Sequence, residues 1–316
     1  KGFRWVVRHR WLFRFQLASE LEHQDVLRAD GIGHARRSAT LARCVRDSLG
    51  DEVMLLAVGG HAASRWLETL DLPYLRVRRD EDAASRFQPT VVVLDTNYLH
   101  PDVVAWYRRS QAFIVNLAPR GTTAQLADLT FSDVPPDILP ADRRSVRIGP
   151  EYAVIGEDFA NVRSNLPGME SKWQPRTAVV SFGGVDQANL TGRVVDALIR
   201  FGCLNECAEL RVVVGPYYPY GEELRQKIRQ FSNLRLITPS MGESIAPLVV
   251  ESAVGIFGTG ITTFEGLAVG VPSLNVGLSE LHRRRGDLLE KTGAGRYFGR
   301  HDEIDWKGFA DAFRRW

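Results

Sequence analysis

Cysteine is scarce in this sequence, and long apolar runs are absent. The 316 residues contain three cysteines, Cys44, Cys203 and Cys207, of which only the last two are neighbours, in a C-x-x-x-C spacing. No histidine or further cysteine clusters around them, so the pattern indicates neither a disulfide framework nor a zinc site. We therefore expect reduced cysteines in a cytoplasmic protein. No run of eighteen apolar residues occurs, which gives no support for a transmembrane helix.

An excess of charge of one sign is also lacking. The 40 basic and 38 acidic residues give a net charge of +2, which offers no electrostatic case for nucleic acid as a partner. No G-x-S-x-G elbow, H-E-x-x-H helix or Walker A loop is present, so serine-hydrolase and zinc-dependent mechanisms have no support. We predict neither a metal nor a cofactor. The length and the 44% content of hydrophobic residues favour two globular domains.

The first 24 residues mix arginine and histidine with tryptophan, phenylalanine and valine. These charges interrupt the apolar stretch and argue against a signal peptide. Two alternatives stay open, namely an amphipathic segment on a membrane surface and an extension that packs on the body of the protein. We favour packing and predict an N-terminal extension over residues 1–24.

Short apolar runs alternate with helical stretches along the rest of the chain. This alternation is typical of parallel sheets with crossover helices. We predict an α/β protein of GT-B architecture, with two Rossmann-like domains whose parallel sheets face a central cleft. The predicted domains cover 25–155 and 176–316, and a polar linker with glycine and proline covers 156–175. The predicted strands lie at 25–30, 52–58, 74–77, 89–95, 112–118, 176–184, 210–215 and 234–238, with a further strand ending near 257.

A glycine-rich stretch, GIFGTGITTFEGLAVGVPSL, covers residues 255–274. It reads as a strand, a turn and a helix, so it belongs at the carboxyl edge of a parallel sheet, where open α/β sheets bind ligands. Free N–H groups at a helix N-terminus favour an anion, and glycine lets the backbone approach it. We predict a diphosphate site at Gly260, Ile261, Thr262 and Thr263, with Glu265 on the sugar hydroxyls of a nucleotide. An ordinary tight turn is the alternative.

The stretch RADGIGHARRS, residues 28–38, is the first strand-to-helix turn of the N-terminal half. Gly33 and His34 fall at the start of its predicted helix. A histidine there can accept a proton near neutral pH, which suits a general base. Arg37 lies three residues further, on the same helix face, where it can meet an anion. The alternative is a capping or packing histidine.

Two more turns carry candidate residues. SFGGVDQANLT, residues 181–191, follows a buried strand and offers Gly183 and Gly184 as a second phosphate turn, while Asp186 or Asn189 can cap the next helix. VVVLDTNYL, residues 91–99, ends a β-branched strand at Asp95, with Tyr98 following. That acid can orient a base, touch a substrate or cap a loop, and we favour the cap.

Taken in order, these motifs resemble the PseG/SpsG family of nucleotide-sugar hydrolases, which act in nonulosonic acid and spore-coat polysaccharide pathways. The family shares the GT-B fold with MurG-type glycosyltransferases. The resemblance covers nearly all of residues 25–300. It is carried by GIGH-x-x-R near the start, D-x-x-Y after Leu94, GPEYAV at 149–154, SFGGVDQANLT at 181–191 and GTGITTFEGLAVGVPS at 258–273.

The resemblance implies a metal-free hydrolysis of a UDP-2,4-diacetamido-2,4,6-trideoxy sugar by water, with inversion at the anomeric carbon. It assigns the base to His34, sugar approach to Gly33, and the ribose hydroxyls to Glu265. It places the diphosphate at Gly260–Thr263, and it lines the site with Gly183, Gly184 and Asn189. Asp95 and Tyr98 complete the predicted catalytic set. A GT-B glycosyltransferase and a nucleotide-sugar-binding protein without catalysis are the alternatives.

Overall fold

The computed structural model describes residues 8–17, 32–59, 64–80, 87–96, 99–117, 123–136, 143–166, 174–184, 186–215, 217–240 and 242–316. The chain divides into two compact units, Lys1–Val154 and Ile155–Trp316. None of the helices in the described ranges is long and apolar enough to cross a bilayer.

The first unit is built on a seven-stranded parallel sheet in the order β3-β2-β1-β4-β5-β6-β7. Its strands are β1 (Arg10–Leu17), β2 (Glu52–Gly59), β3 (Tyr74–Val77), β4 (Val91–Asp95), β5 (Phe113–Asn116), β6 (Leu129–Ser132) and β7 (Val146–Ile148). Its helices are α1 (Ile32–Leu49), α2 (Ser64–Glu68), α3 (Pro101–Arg109) and α4 (Thr123–Leu126).

The second unit repeats this plan with six parallel strands in the order β10-β9-β8-β11-β12-β13. Its strands are β8 (Gln174–Ser181), β9 (Glu209–Val213), β10 (Leu234–Ile237), β11 (Ser252–Phe257), β12 (Ser273–Gly277) and β13 (Gly295–Arg300). Its helices are α5 (Glu157–Ser164), α6 (Leu190–Arg200), α7 (Gly221–Ile228), α8 (Ala246–Val250), α9 (Ile261–Ala268), α10 (Glu280–Thr292) and α11 (Trp306–Phe313). The predicted α/β class with two Rossmann-like domains is confirmed.

The predicted N-terminal extension is wrong for residues 10–17, which form β1 at the centre of the first sheet. β1 pairs in parallel with β2 over its whole length and with β4 from Trp11 to Phe15. Phe13 and Phe15, both on this strand, are buried. The strand predicted at 25–30 lies outside the described residues.

The predicted linker is also wrong over much of its length. Glu157–Ser164 forms α5, and Phe159 is fully buried in a cluster with Val249, Val271 and other apolar side chains of the second unit. β8 already begins at Gln174. The part of the predicted linker that forms α5 has one buried side chain, Phe159, and that pattern is too short to show a clear helical period.

Arg14, in the middle of β1, is buried because an acid from another part of the chain neutralises it. Its Nε and Nη2 donate to the two carboxylate oxygens of Asp80 at 2.9 and 3.0 Å. Tyr107 on α3 donates its hydroxyl to Asp80 at 2.8 Å. Arg14 and Asp80 are only 3% and 5% exposed, so removal of either partner leaves an uncompensated charge in the core.

We expect Asp80→Ala to lower the free energy of unfolding by about 3–5 kcal/mol, because Arg14 then stays buried without its counter-charge. Asp71→Ala is the matched control. Asp71 pairs with Arg46, but its side chain is 98% exposed, and such pairs contribute at most about 1 kcal/mol. Urea denaturation of both variants measures the difference, and equal losses would contradict the stabilising role of the buried pair.

Candidate functional site

The predicted site residues gather at the topological switch point of each sheet. In the first sheet the chain leaves β1 toward β2 and returns to β4 on the other side of β1. In the second sheet β8 and β11 hold the corresponding places. The turns after such central strands leave room at the carboxyl edge, where open α/β sheets bind ligands. His34 and Asp95 occupy the first of these positions, and Gly183 and Gly260 occupy the second.

His34, Arg37 and Asp95 form one cluster in the first unit. Asp95 ends β4 and is fully buried, on the same sheet face as Phe15 and α1. His34 and Arg37 lie one turn apart on α1. His34 Nδ1 is 2.5 Å from Asp95 Oδ1, and Arg37 Nε donates to Asp95 Oδ2 at 2.7 Å. Arg37 Nη2 makes a further hydrogen bond to Asp95 Oδ1.

The charges around Asp95 determine its protonation state. Burial alone would raise the pKa of its carboxyl group, but the charges of Arg37 and His34 and their hydrogen bonds outweigh burial and hold that pKa well below its usual range. Asp95 is therefore a carboxylate at neutral pH and can only accept hydrogen bonds.

This protonation state fixes the tautomer of His34. A carboxylate 2.5 Å from Nδ1 requires a proton on that nitrogen, so Nε2 carries the lone pair of the neutral ring. In this tautomer Nε2 is the ring nitrogen that can accept a proton. The contacts of Asp95 with α1 fit its predicted role of orienting a base, and that role stays a prediction beside the favoured one as a loop cap. Gly33 lies next to His34 on the first turn of α1, and Tyr98 lies outside the described residues.

The turn after β11 leaves its helix N-terminus open. Gly260 is the residue before α9, and no described side chain caps that helix. The backbone of Gly260 has a φ of −94°, which any residue adopts, and an added Cβ would meet no described atom within 4 Å. Neither conformation nor packing within the described residues therefore requires glycine there.

The turn after β8 lies beside it but is organised differently. An added Cβ at Gly258 would come within 3.3 Å of the Phe182 ring, so the two turns are in contact. Gly183 has a φ of +84°, which favours glycine, and its Cβ position is open among the described residues. An added Cβ at Gly215 would overlap the main chain of Gly184, so Gly184 lies in a close backbone contact with the end of β9.

Helix α6, which follows that second turn, is fully capped by its own segment. Asp186 accepts from the N–H groups of Leu190 and Thr191 at 2.9 and 2.7 Å. Asn189 accepts from Gly192 at 3.1 Å and from the hydroxyl of Tyr218 at 2.5 Å. Both predicted caps are present. Because the N–H groups at its start already bond to side chains, α6 offers an anion fewer hydrogen-bond donors than α9 does.

The remaining predicted residues lie on α9, which starts at Ile261. Thr263 is fully buried, donates its hydroxyl to Asn275 at 3.3 Å, and donates its N–H to the main-chain oxygen of Gly260 at 3.2 Å. Glu265 begins the second turn and is 3% exposed, and its Oε1 accepts from the Gly156 N–H at 3.3 Å. Ile261 and Thr262 supply the first two N–H groups of the helix.

Sequence reasoning missed Thr259 and His282, which adjoin this turn. Thr259 donates its hydroxyl to the main-chain oxygen of His282 at 3.1 Å, and His282 Nδ1 is 2.8 Å from the hydroxyl of Ser279. No local pattern joins residues 23 positions apart. Within the described ranges, no group of three metal-ligating side chains is present.

Comparison with known proteins supports the same fold. The crystal structure of Acinetobacter baumannii MurG superposes with a TM-score of 0.63 at 15% identity, covering 97% of this chain and 90% of that chain. A co-structure of S. aureus MnaA with UDP gives 0.62 at 14% identity, covering 96% and 86%. The spinosyn rhamnosyltransferase SpnG with thymidine diphosphate gives 0.58 at 13% identity, covering 97% and 90%. These likenesses confirm the GT-B fold.

Sequence comparison also finds a similar protein. MJ1062 of Methanocaldococcus jannaschii, described as an uncharacterized protein, is 22% identical over 276 residues, which cover 83% of this chain and 56% of that protein. The chain thus spans little more than half the length of this relative. No family model matches the sequence.

We expect Asp95→Asn to lower the free energy of unfolding at pH 7 by about 3–5 kcal/mol, since it leaves Arg37 without its buried partner. The folded-state pKa of Asp95 lies below its unfolded value of about 3.9. The carboxylate therefore stabilises the fold fully above that pH, and this contribution is lost as the pH falls toward the folded-state pKa. The difference between parent and variant should shrink in acid.

Urea denaturation at a series of pH values measures this difference. Ser38→Ala is the matched control, because Ser38 donates to Asp95 over a longer 3.4 Å contact and carries no charge. Its deficit should change little with pH. A deficit of Asp95→Asn that stays constant down to about pH 3 would contradict the ionic account.

Proposed function

We propose that this protein is a nucleotide-sugar enzyme that holds the diphosphate of a UDP-sugar at Gly260–Thr263 and uses His34 as a general base. The open turn at Gly260 carries the proposal. Neither the backbone conformation at Gly260 nor packing against described residues requires a glycine, and the first N–H groups of α9 have no side-chain cap. A helix N-terminus of this kind stabilises an anion without a metal.

The chemistry that fits the first unit is attack by water. His34 Nε2 accepts a proton from a water molecule while the water oxygen attacks the anomeric carbon of the sugar. The bond from that carbon to the β-phosphate oxygen breaks, UDP leaves with the bonding electrons, and the configuration inverts. Asp95 keeps the Nδ1 proton in place and stabilises the imidazolium that forms. A positioned base of this kind contributes roughly 10²–10⁴-fold in rate.

Two arguments support a nucleotide at the other end of the substrate, namely the chemistry of nearby side chains and the similarity to solved structures. A carboxylate such as Glu265 accepts hydrogen bonds from the ribose hydroxyls, and Gly183 permits close approach of the substrate beside the diphosphate. MnaA was solved with UDP and SpnG with thymidine diphosphate, so proteins of this fold hold nucleoside diphosphates. We infer UDP for this chain from the resemblance to PseG/SpsG hydrolases, which also suggests a diacetamido-trideoxy sugar and nonulosonic acid or surface polysaccharide synthesis.

Transfer of the sugar to another acceptor is the second candidate function. MurG and a rhamnosyltransferase share the fold over nearly the whole chain, and the same base can deprotonate an acceptor hydroxyl in place of water. A binding protein without catalysis fits less well. A protein that only binds has no need for a buried carboxylate that sets the tautomer of His34. The three free cysteines suit a cytoplasmic setting for either reaction.

We expect His34→Gln to lower the release of UDP from a UDP-diacetamido sugar by about 10²–10⁴-fold, because glutamine cannot take the proton. UDP affinity, measured by calorimetry, should stay within about twofold, since the diphosphate site lies on other residues. His9→Gln is the control, because His9 is exposed and directly precedes β1, at the opposite edge of the sheet from Asp95.

The assay without an acceptor separates the two candidate functions. UDP release into water supports hydrolysis, and tight UDP binding with an inert sugar nucleotide supports transfer. Full activity of His34→Gln would show that His34 is not the base.

We expect Gly260→Ala to weaken UDP binding by about 10- to 100-fold, because its methyl group occupies the space of the diphosphate. The melting temperature without ligand should not fall, since the backbone there is unstrained and the Cβ position is open within the described part of the chain. Gly221→Ala is the matched control in the same unit, with an ordinary 3.9 Å contact to Tyr218. Unchanged UDP affinity of Gly260→Ala would remove the diphosphate from this turn.

A further inference from the structure

Thr259, the residue before Gly260, has a backbone conformation that its side chain disfavours. Its φ is +52°, in the left-handed region, and it is fully buried. Among the described non-glycine residues with positive φ, Thr259 alone is β-branched. A branched Cβ makes this region costly, and such outliers persist only where surrounding contacts hold them.

The contact that holds Thr259 is the hydrogen bond from its hydroxyl to the main-chain oxygen of His282. His282 lies on the first turn of α10, which follows the neighbouring strand β12. The bond therefore fastens the turn after β11 to a helix on the adjacent strand. Asn189 also has a positive φ, of 52°, but asparagine tolerates that region and here caps its own helix.

The conformation of Thr259 sets the direction of the next peptide groups. Gly258, on one side, packs beside the Phe182 ring, which an added Cβ would approach to 3.3 Å, and Gly260, on the other, precedes the uncapped N-terminus of α9. A change of Thr259 to the ordinary negative φ would rotate the Gly260 N–H and shift the first N–H groups of the helix. The direction of the N–H groups in the proposed diphosphate site thus depends on Thr259, a residue outside that site.

We propose that Thr259 is a positioning residue for the diphosphate: its hydroxyl, bonded to the His282 carbonyl, locks the left-handed turn that points the N–H groups at the start of α9 toward the phosphates. This inference rests on the proposed function, because it assumes a diphosphate at Gly260. It adds a residue that touches the main chain of α10 rather than the ligand.

Three variants at Thr259 separate the hydroxyl from the backbone conformation. Thr259→Ser keeps the hydroxyl and should bind UDP within about twofold of the parent. Thr259→Val keeps the shape and loses the bond, so we expect about tenfold or greater loss of UDP affinity. Thr259→Gly takes a positive φ without strain but is not locked, so it should fold well and fall between these two.

Calorimetry with UDP, and competition or NMR titration with uridine, provide the readouts on the full chain. Uridine lacks the diphosphate, so Thr259→Val should weaken UDP binding and leave uridine binding nearly unchanged. Melting curves without ligand show whether each variant is folded.

Each result bears on the inference. UDP affinity that follows the order serine, glycine, valine with constant uridine affinity supports it. Equal UDP affinity for folded Thr259→Val or Thr259→Gly and for Thr259→Ser overturns it while the proposed function stands. Equal loss of UDP and uridine overturns it as well, since that result shows a general collapse of the site. Failure of the parent chain to bind UDP overturns the proposed function, and this inference with it.

Discussion

The pairing of β1 with both β2 and β4 determines where the histidine cluster forms. In this register Phe15 lies beside Asp95, so the end of β4 is level with the last residues of β1. The chain leaving β1 reaches α1, which covers the same face and carries His34 and Arg37 over Asp95. The carboxylate comes from a strand 61 residues from the histidine, and only a central β1 brings them together.

The two units use the same topology but treat their helix N-termini differently. In α6 the N–H groups are bonded by Asp186 and Asn189, which makes that turn self-sufficient. In α9 a glycine replaces the capping side chain, and the helix N-terminus stays open within the described residues. A glycine N-cap costs roughly a few tenths of a kcal/mol relative to a serine, asparagine or aspartate cap. In the proposed function, a diphosphate that binds the first N–H groups of α9 offsets that cost.

Local patterns predicted the strands with β-branched or continuous apolar residues, such as VVVLD, and the glycine-rich turns. They failed at β1, where Arg10 and Arg14 interrupt the apolar run, because the acid that neutralises Arg14 lies 66 residues away. Asp95 presented the same difficulty, since a carboxylate at a strand end has many local roles and its partners on α1 are not local. Thr259 carries no signal at all, as a positive φ at threonine is a property of the fold.

The surroundings of Glu265 show why a predicted ligand residue can be a poor probe of its own site. Its carboxylate accepts the Gly156 N–H at the start of α5, so it also fixes the residues that enter the second unit. An added Cβ at Gly156 would come within 2.9 Å of that carboxylate, which shows how closely the two are packed. Substitution of Glu265 thus disturbs the fold together with any ribose contact. Gly260 has no comparable contact among the described residues, so changes in binding there report on the ligand alone.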